Sequence, residues 1–187
     1  PQRNAYHRFT VDRHLMETAA NAAALVARTD RPDLLVLGAL LHDIGKGYPG
    51  DHTDVGIDLV AGIGARMGMV DEDVRVLQAM VRHHLLLPDA ATRRDLEDPA
   101  TVAAVAAAVG SVEVLELLHA LAVAFDTFTL TITVSPGEKS GNCRVMRLFS
   151  ISSIMLAIFL HLSLGENSVN SRLSSSESPH PEIKSGR

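Results

Sequence analysis

An apolar helical stem that ends in two adjacent metal-competent side chains constrains this chain more than anything else in it. Residues 37–46 read Leu37-Gly-Ala-Leu-Leu-His42-Asp43-Ile44-Gly45-Lys46. A polar pair at the end of such a stem needs partners, because burying an imidazole or a carboxylate without them is costly. Side by side, an imidazole nitrogen and a carboxylate oxygen can bind one divalent ion, and the carboxylate can bridge to a second. Gly45 suits the left-handed residue that closes a helix. Lys46 follows directly, where a phosphoryl group would reach it. Read alone, the pair is equally compatible with a simple helix cap.

The other histidines tip that balance. Of nine in the chain, His14, His42, His52, His83 and His84 fall within 71 residues, and each borders an apolar pattern of helical period. Residues 11–28 carry Val11, Leu15, Ala19, Ala22 and Val26 on one stripe beside His14. Residues 53–67 carry Val55, Leu59, Ile63 and Met67 at steps of four, with His52 at the entrance. Residues 74–84 carry Val74, Leu77 and Val81, a face that His84 continues and His83 flanks. A lone histidine on such a face is usually a hydrogen-bonded core residue. Five converging on a His-Asp pair point to a metal centre.

The helical pattern predicts an all-α domain. Helices are expected over about 11–28, 33–44, from Asp51 or Thr53 to Gly68, from a cap at Asp71 to about Leu86 before Pro88, and over about 99–109 and 111–122. A Gly/Pro loop covers residues 45–50 and a polar loop residues 91–99. Ala-rich 100–109 reads as a close-packing helix, and Gly62-x-Gly64 inside the third helix matches no phosphate-binding loop. No strand alternation occurs before residue 127. The single cysteine, Cys143, excludes an intramolecular disulfide and a Cys-based zinc site, so a metal must be held by N and O ligands. A net charge of −5 with no basic cluster interleaved with aromatics argues against nucleic acid as a partner. The chain opens at Pro1 without a signal-peptide pattern and reads as a piece of something longer.

Residue usage breaks near residue 122. The first 122 residues hold 21 alanines and one serine, Ser111; the remaining 65 hold two alanines and 13 serines. The basic-to-acidic balance shifts from 11 against 17 to six against five. A folded domain seldom changes composition this sharply within a helix. Residues 123–187 are therefore expected to be a poorly ordered tail of foreign origin, from a frameshift, read-through or fusion. The tail begins with the Thr-rich run Phe128-Thr-Leu-Thr-Ile-Thr-Val134 and ends Ser-rich. Its apolar stretch 148–164 is short for a membrane span and includes four serines and a histidine.

These residues carry a resemblance. The order His14, His42-Asp43-Ile-Gly-Lys46, His52, His83-His84 resembles the HD superfamily of metal-dependent phosphohydrolases. Three segments narrow it: Tyr6-His-Arg-Phe-Thr-Val-Asp-Arg-His14; His42-Asp-Ile-Gly-Lys-Gly47 with Gly50-Asp51-His52; and Arg93-Arg-Asp-Leu-Glu-Asp-Pro99. Over residues 4–122 they are similar to the HD domain of bifunctional PII-protein uridylyltransferase/uridylyl-removing enzymes. In that family a nucleotidyltransferase domain precedes the HD domain and two ACT domains follow it; these residues match neither.

The resemblance implies an HD helical bundle in a cytoplasmic enzyme that releases UMP from uridylylated PII-type signalling protein in nitrogen regulation. It implies two divalent ions, with Mn or Fe favoured over Zn or Mg. His14, His42, Asp43 and a late Asp would form one site; Asp43, His52, His83 and His84 would form the second. Lys46 and Arg82 are candidates to neutralise phosphoryl charge, and Arg93 and Arg94 to contact the substrate. Against this stand the charge-cluster reading of Arg93 and Arg94, an HD hydrolase acting on free nucleotides or cyclic dinucleotides, and an inactive metal-binding remnant. The Gly47-Tyr48-Pro49 here is not the motif of the HD-GYP branch. One departure matters: the late Asp is expected near position 125, where this chain has Phe125, with Asp126 one residue on.

Overall fold

A computed structural model describes residues 10–132 and 155–162, the side chains of residues 125–132 excepted. Among the described residues the regular structure is all helical, with no strand. The helices are α1 (Val11–Ala23), α2 (Pro32–Leu41), α3 (His52–Met67), α4 (Asp71–His83), α5 (Leu86–Arg93), α6 (Pro99–Val109) and α7 (Val112–Ile132), with a single 3₁₀ turn, Val26–Arg28, after α1. Helix α1 packs on α2 and α7, α3 packs on α4, and α2 and α4 pack on each other and on α7. Leu34, Leu35, Leu77, Met80, Leu115, Leu117, Leu118 and Leu121 are fully buried between them.

The helix boundaries follow local chemistry. Asp51 caps α3 by accepting from the amides of Thr53 and Asp54 at 2.8 and 3.2 Å. Gly68, at φ 69°, and Gly110, at φ 78°, close α3 and α6 in the left-handed conformation that glycine adopts without strain. Asp98 caps α6, with its carboxylate 2.9 Å from the Ala100 amide.

Several boundaries differ from expectation. Helix α1 stops at Ala23 rather than 28 and hands over to the 3₁₀ turn. The cap of α4 is Val70; Asp71 is its first residue and adds to an acidic first turn with Glu72 and Asp73, where carboxylates favour the helix dipole. The segment read as ending before Pro88 folds into α5. Pro88 lies in the first turn, where its missing N–H has no helical acceptor to lose, and Leu87 and Ala90 turn inward. The buried stripe of α3 is Gly56, Val60 and Gly64, one residue on from the expected Val55, Leu59, Ile63 and Met67; Met67 is exposed. The two glycines explain the shift. A Cβ at Gly64 would press on Val74 and one at Gly56 on Val81, so α3 lies closer to α4 than an apolar stripe with side chains would allow.

Beyond the composition break, α7 continues without interruption from Val112 to Ile132. The amide of the Asn21 side chain donates to the Ala124 carbonyl at 3.0 Å and ties this helix to α1. Helical residues 155–162 contribute Ile158, fully buried, to the core, with Met155 and Leu162 packed beside it. Part of the sequence after 122 therefore lies within the hydrophobic core. Residues 133–154 and 163–187 of the expected tail, and the opening Tyr6-to-Phe9 segment, lie outside the described residues. Among those described, no single helix is long and apolar enough to cross a membrane.

Candidate metal centre

The site is built from the ends of three helices and the face of a fourth. His42 follows the last residue of α2, His84 follows the last residue of α4, His52 opens α3, and His14 projects from the second turn of α1. Asp43 sits among them. Its carboxylate lies 3.4 Å from His42 Nε2 and 3.7 Å from His14 Nε2 through Oδ2, and 3.6 Å from His84 Nε2 through Oδ1. Two groups of donor atoms result, each within 4.8 Å: His14, His42 and Asp43; and Asp43, His52 and His84. Asp43 belongs to both.

Two of the imidazoles are oriented by the helix ends they terminate. The last carbonyls of a helix have no intrahelical donor. His42 Nδ1–H donates to the Ala39 carbonyl and His84 Nδ1–H to the Val81 carbonyl, both at 2.8 Å and both three residues back. A proton held on Nδ1 leaves Nε2 as the lone-pair nitrogen, and the ring orientation aims that nitrogen at Asp43. The helix-cap role and the ligand role are thus two ends of one side chain. His14 and His42 face each other through their Nε2 atoms at 3.0 Å, an approach that a shared proton or a shared cation satisfies.

The charge states suit a cation. Burial alone would raise the Asp43 carboxyl, but the polar and positively charged groups around it, the Lys46 ammonium at 2.6 Å among them, outweigh burial and hold the group well below the usual carboxylate range. Burial pushes His84 down from its ordinary value, against the opposing pull of the Val81 carbonyl and Asp43. A neutral imidazole with a free Nε2 lone pair is the form that binds metal. Lys46 Nζ lies 2.6 Å from Asp43 Oδ2 and completes the polar wall of the site. The donor set, neutral nitrogens around one ionised carboxylate, fits a divalent transition ion better than Mg²⁺, which favours an all-oxygen shell.

The remaining sequence candidates fall elsewhere. His83 belongs to neither donor group; it is half-buried, and burial together with Arg82 pushes it down. Consecutive residues on a helix diverge by about 100°, and of the two it is His84 that is buried and belongs to a donor group. Arg82, Arg93 and Arg94 are exposed. Arg93 sits 3.8 Å from Asp89, while Asp95 and Asp98 serve backbone amides instead of these arginines. Asp126 lies in α7, with its side chain outside the described residues.

Gly45 has a different role from the expected one. The glycines with positive φ are Gly47 (104°), Gly50 (102°), Gly68 and Gly110, and Gly45 is not among them. A Cβ at Gly45 would collide with the His52 carbonyl and lie 2.7 Å from the Gly56 amide nitrogen. Backbone contact between the His42-Asp43 turn and the start of α3 is what brings His52 to the site. Gly45→Ala is expected to destabilise the fold by about 1–3 kcal/mol. Urea unfolding would read that loss, and metal content should fall with it because His52 is displaced. Unchanged stability would show that the loop yields.

An all-helical bundle whose helix-end histidines surround one shared carboxylate is the architecture of a metal-centre protein. A family model described as the HD domain matches residues 11–109, more than half of the chain, and the chain belongs to that family. It is 61% identical over 121 residues to the bifunctional uridylyltransferase/uridylyl-removing enzyme of Streptomyces coelicolor, covering 65% of this chain and 14% of that protein. It is 57% identical over 122 residues to the enzyme of the same description from Mycobacterium tuberculosis, covering 65% and 15%. For that of Bordetella pertussis the figures are 36% over 138 residues, covering 66% and 16%. The chain thus spans about one seventh of the length of these relatives.

Proposed function

We propose that this chain is a metal-dependent phosphohydrolase module of the uridylyl-removing type, which releases UMP from a uridylylated PII-type signalling protein in the cytoplasm. The observation that carries the reading is the single carboxylate, Asp43, shared by two histidine groups whose members His42 and His84 are oriented by helix-end carbonyls. The uridylyl-removing activity named for the Streptomyces and Mycobacterium relatives supports the substrate.

In this reading His14, His42 and Asp43 hold one divalent ion, and Asp43, His52 and His84 hold a second. Mn or Fe is favoured over Zn or Mg. Such ions supply Lewis acidity, lowering the pKa of water and offsetting phosphoryl charge. The rest is done by the chain. The helix-end bonds of His42 and His84 fix the donors before substrate arrives, so no reorganisation is needed at the moment of reaction. Lys46 sets a positive charge beside Asp43 at the edge of the site, where it opposes the charge on a phosphoryl oxygen. Arg82, Arg93 and Arg94 are outer candidates for contact with the protein substrate.

The same reading includes a defect. The late carboxylate expected near position 125 is replaced by Phe125, and residues 123–187 are read as foreign sequence joined to the HD domain. Activity is therefore low in this chain. The substrate is tested by supplying Mn²⁺ and comparing uridylylated PII protein with 2′,3′-cyclic nucleotides and cyclic dinucleotides. UMP release from the PII protein, however slow, should exceed turnover of the others; faster hydrolysis of a cyclic dinucleotide would move the assignment to that branch.

A further inference from the structure

Helices α2 and α4 run parallel and in register. Arg31, the cap of α2, pairs with Asp73 in the first turn of α4 at 2.8 Å. Further along, a Cβ at Gly38 would strike the Met80 side chain. At the far end the His42 and His84 rings lie 5.4 Å apart. The members of each pair are 42 positions apart in the chain, as are Leu35 and Leu77, both buried. The steps along each helix are four, three and four, the spacing of a coiled-coil seam. The acceptors of the two rings, the Ala39 and Val81 carbonyls, keep the same offset. One end of this seam is an ion pair. The other, about 16 Å along the helix, is the donor cluster.

The ion pair is tied into the frame of the bundle. Arg31 also reaches Asp33 at 2.9 Å and Glu113 at 3.5 Å, so one guanidinium joins acidic residues in the first turns of α2, α4 and α7. The Thr29 hydroxyl accepts from the Arg31 amide at 3.1 Å, and Pro32 stiffens the residue that follows. Exposed ion pairs add little stability. Their better-attested use is to fix register, because a slipped pairing leaves the charges unmatched. The apolar part of the seam resists sliding weakly: Met80 is flexible, and Gly38 offers it no side chain to lock against.

We infer that Arg31 and Asp73 are positioning residues for the metal centre: by setting the register of α4 on α2, they place His84 opposite Asp43. The inference rests on the metal-centre reading above. Asp43 Oδ1 is 3.6 Å from His84 Nε2, a separation that even a small slide of α4 would spoil. The group of Asp43, His52 and His84 draws on α4 and on α3, which packs on α4. The group of His14, His42 and Asp43 takes no ligand from either helix and is indifferent to that register.

The test titrates the full chain calorimetrically with Mn²⁺, using His14→Ala and His52→Ala to assign each binding step to its group. Asp73→Asn should weaken the step that His52→Ala abolishes by about five-fold, the worth of a good ion pair, and leave the other within about two-fold. The fold should survive this change, since Arg31 keeps Asp33 and Glu113. Arg31→Gln should weaken the same step, and adding Asp73→Asn to it should cost nothing more, because the two act as one pair. Arg75→Ala, which breaks an exposed pair with Glu72 within α4, should change neither step. If Asp73→Asn weakens both steps alike or neither, the positioning role is overturned and the metal centre stands. Binding confined to the step that His14→Ala abolishes overturns it too, since α4 then positions no ion. If the parent binds no Mn²⁺, the metal-centre reading itself falls, and this inference with it.

Discussion

Replacing Asp43 by alanine should strip the chain of bound divalent metal, and replacing His42 should do nearly the same. Asp43 contributes to both donor groups, so its loss leaves each with two histidines and no negative charge. His42 contributes Nε2 to one group only, but its ring also closes the end of α2 through the Ala39 carbonyl. Removing a ligand or its support commonly costs ten- to a hundred-fold in affinity. For Asp43 the loss should be larger, because two sites fail together. The measurement is Mn, Fe and Zn content of the purified chain and both variants. His83→Ala is the internal control. Its ring lies in neither donor group, so its metal content should match the parent. Equal metal in the parent and in Asp43→Ala would remove the basis for a metal centre, and a loss in His83→Ala as large as in His42→Ala would show that the wrong member of the pair has been assigned.

Placing a carboxylate at position 125 should raise phosphodiesterase activity by at least about ten- to a hundred-fold, the usual worth of one metal ligand. The repair needs two substitutions, Val123→Glu and Phe125→Asp, since position 124 is already Ala. The case for it is geometric. Positions 125 and 126 are successive in α7, and successive positions on a helix differ by about 100°. Helix α7 cannot rotate to compensate, because Leu115, Leu118, Leu121 and Ala122 are buried along it and Asn21 holds the Ala124 carbonyl. UMP release from uridylylated PII protein would be followed for the parent and the repaired chain, with metal content measured on both. If the parent already matches the repaired rate, Asp126 is a competent ligand and the defect does not exist.

Much of this was legible in the residues because the signals are local. Helical period in the apolar residues marks an all-α chain, and a carboxylate before an apolar run marks a helix start, as Asp51 does. A glycine after the last periodic residue marks a helix stop, as Gly68 and Gly110 do. The order His14, His42-Asp43, His52, His83-His84 is likewise visible in one dimension, and the resemblance to the HD-domain family follows from it.

Other features depend on contacts that no local window contains. Whether His83 or His84 turns inward depends on which ring reaches the i−3 carbonyl of a helix end already fixed by Leu77, Met80 and Val81 in the core. Gly45 matters for the closeness of the His52 carbonyl and Gly56, which come from another helix, and not for its own φ. Pro88 stops a helix in sequence terms, yet it sits in the first turn of one here because Leu87 and Ala90 have a core to enter. Composition changes at residue 122, but α7 and the burial of Ile158 do not respect that change, since burial depends on shape and polarity and not on where a sequence came from. The sequence determined the helices and the set of groups able to bind metal. Tertiary packing decided which of those groups meet, because a ligand's direction is set by the neighbours of its helix and not by its place in the chain.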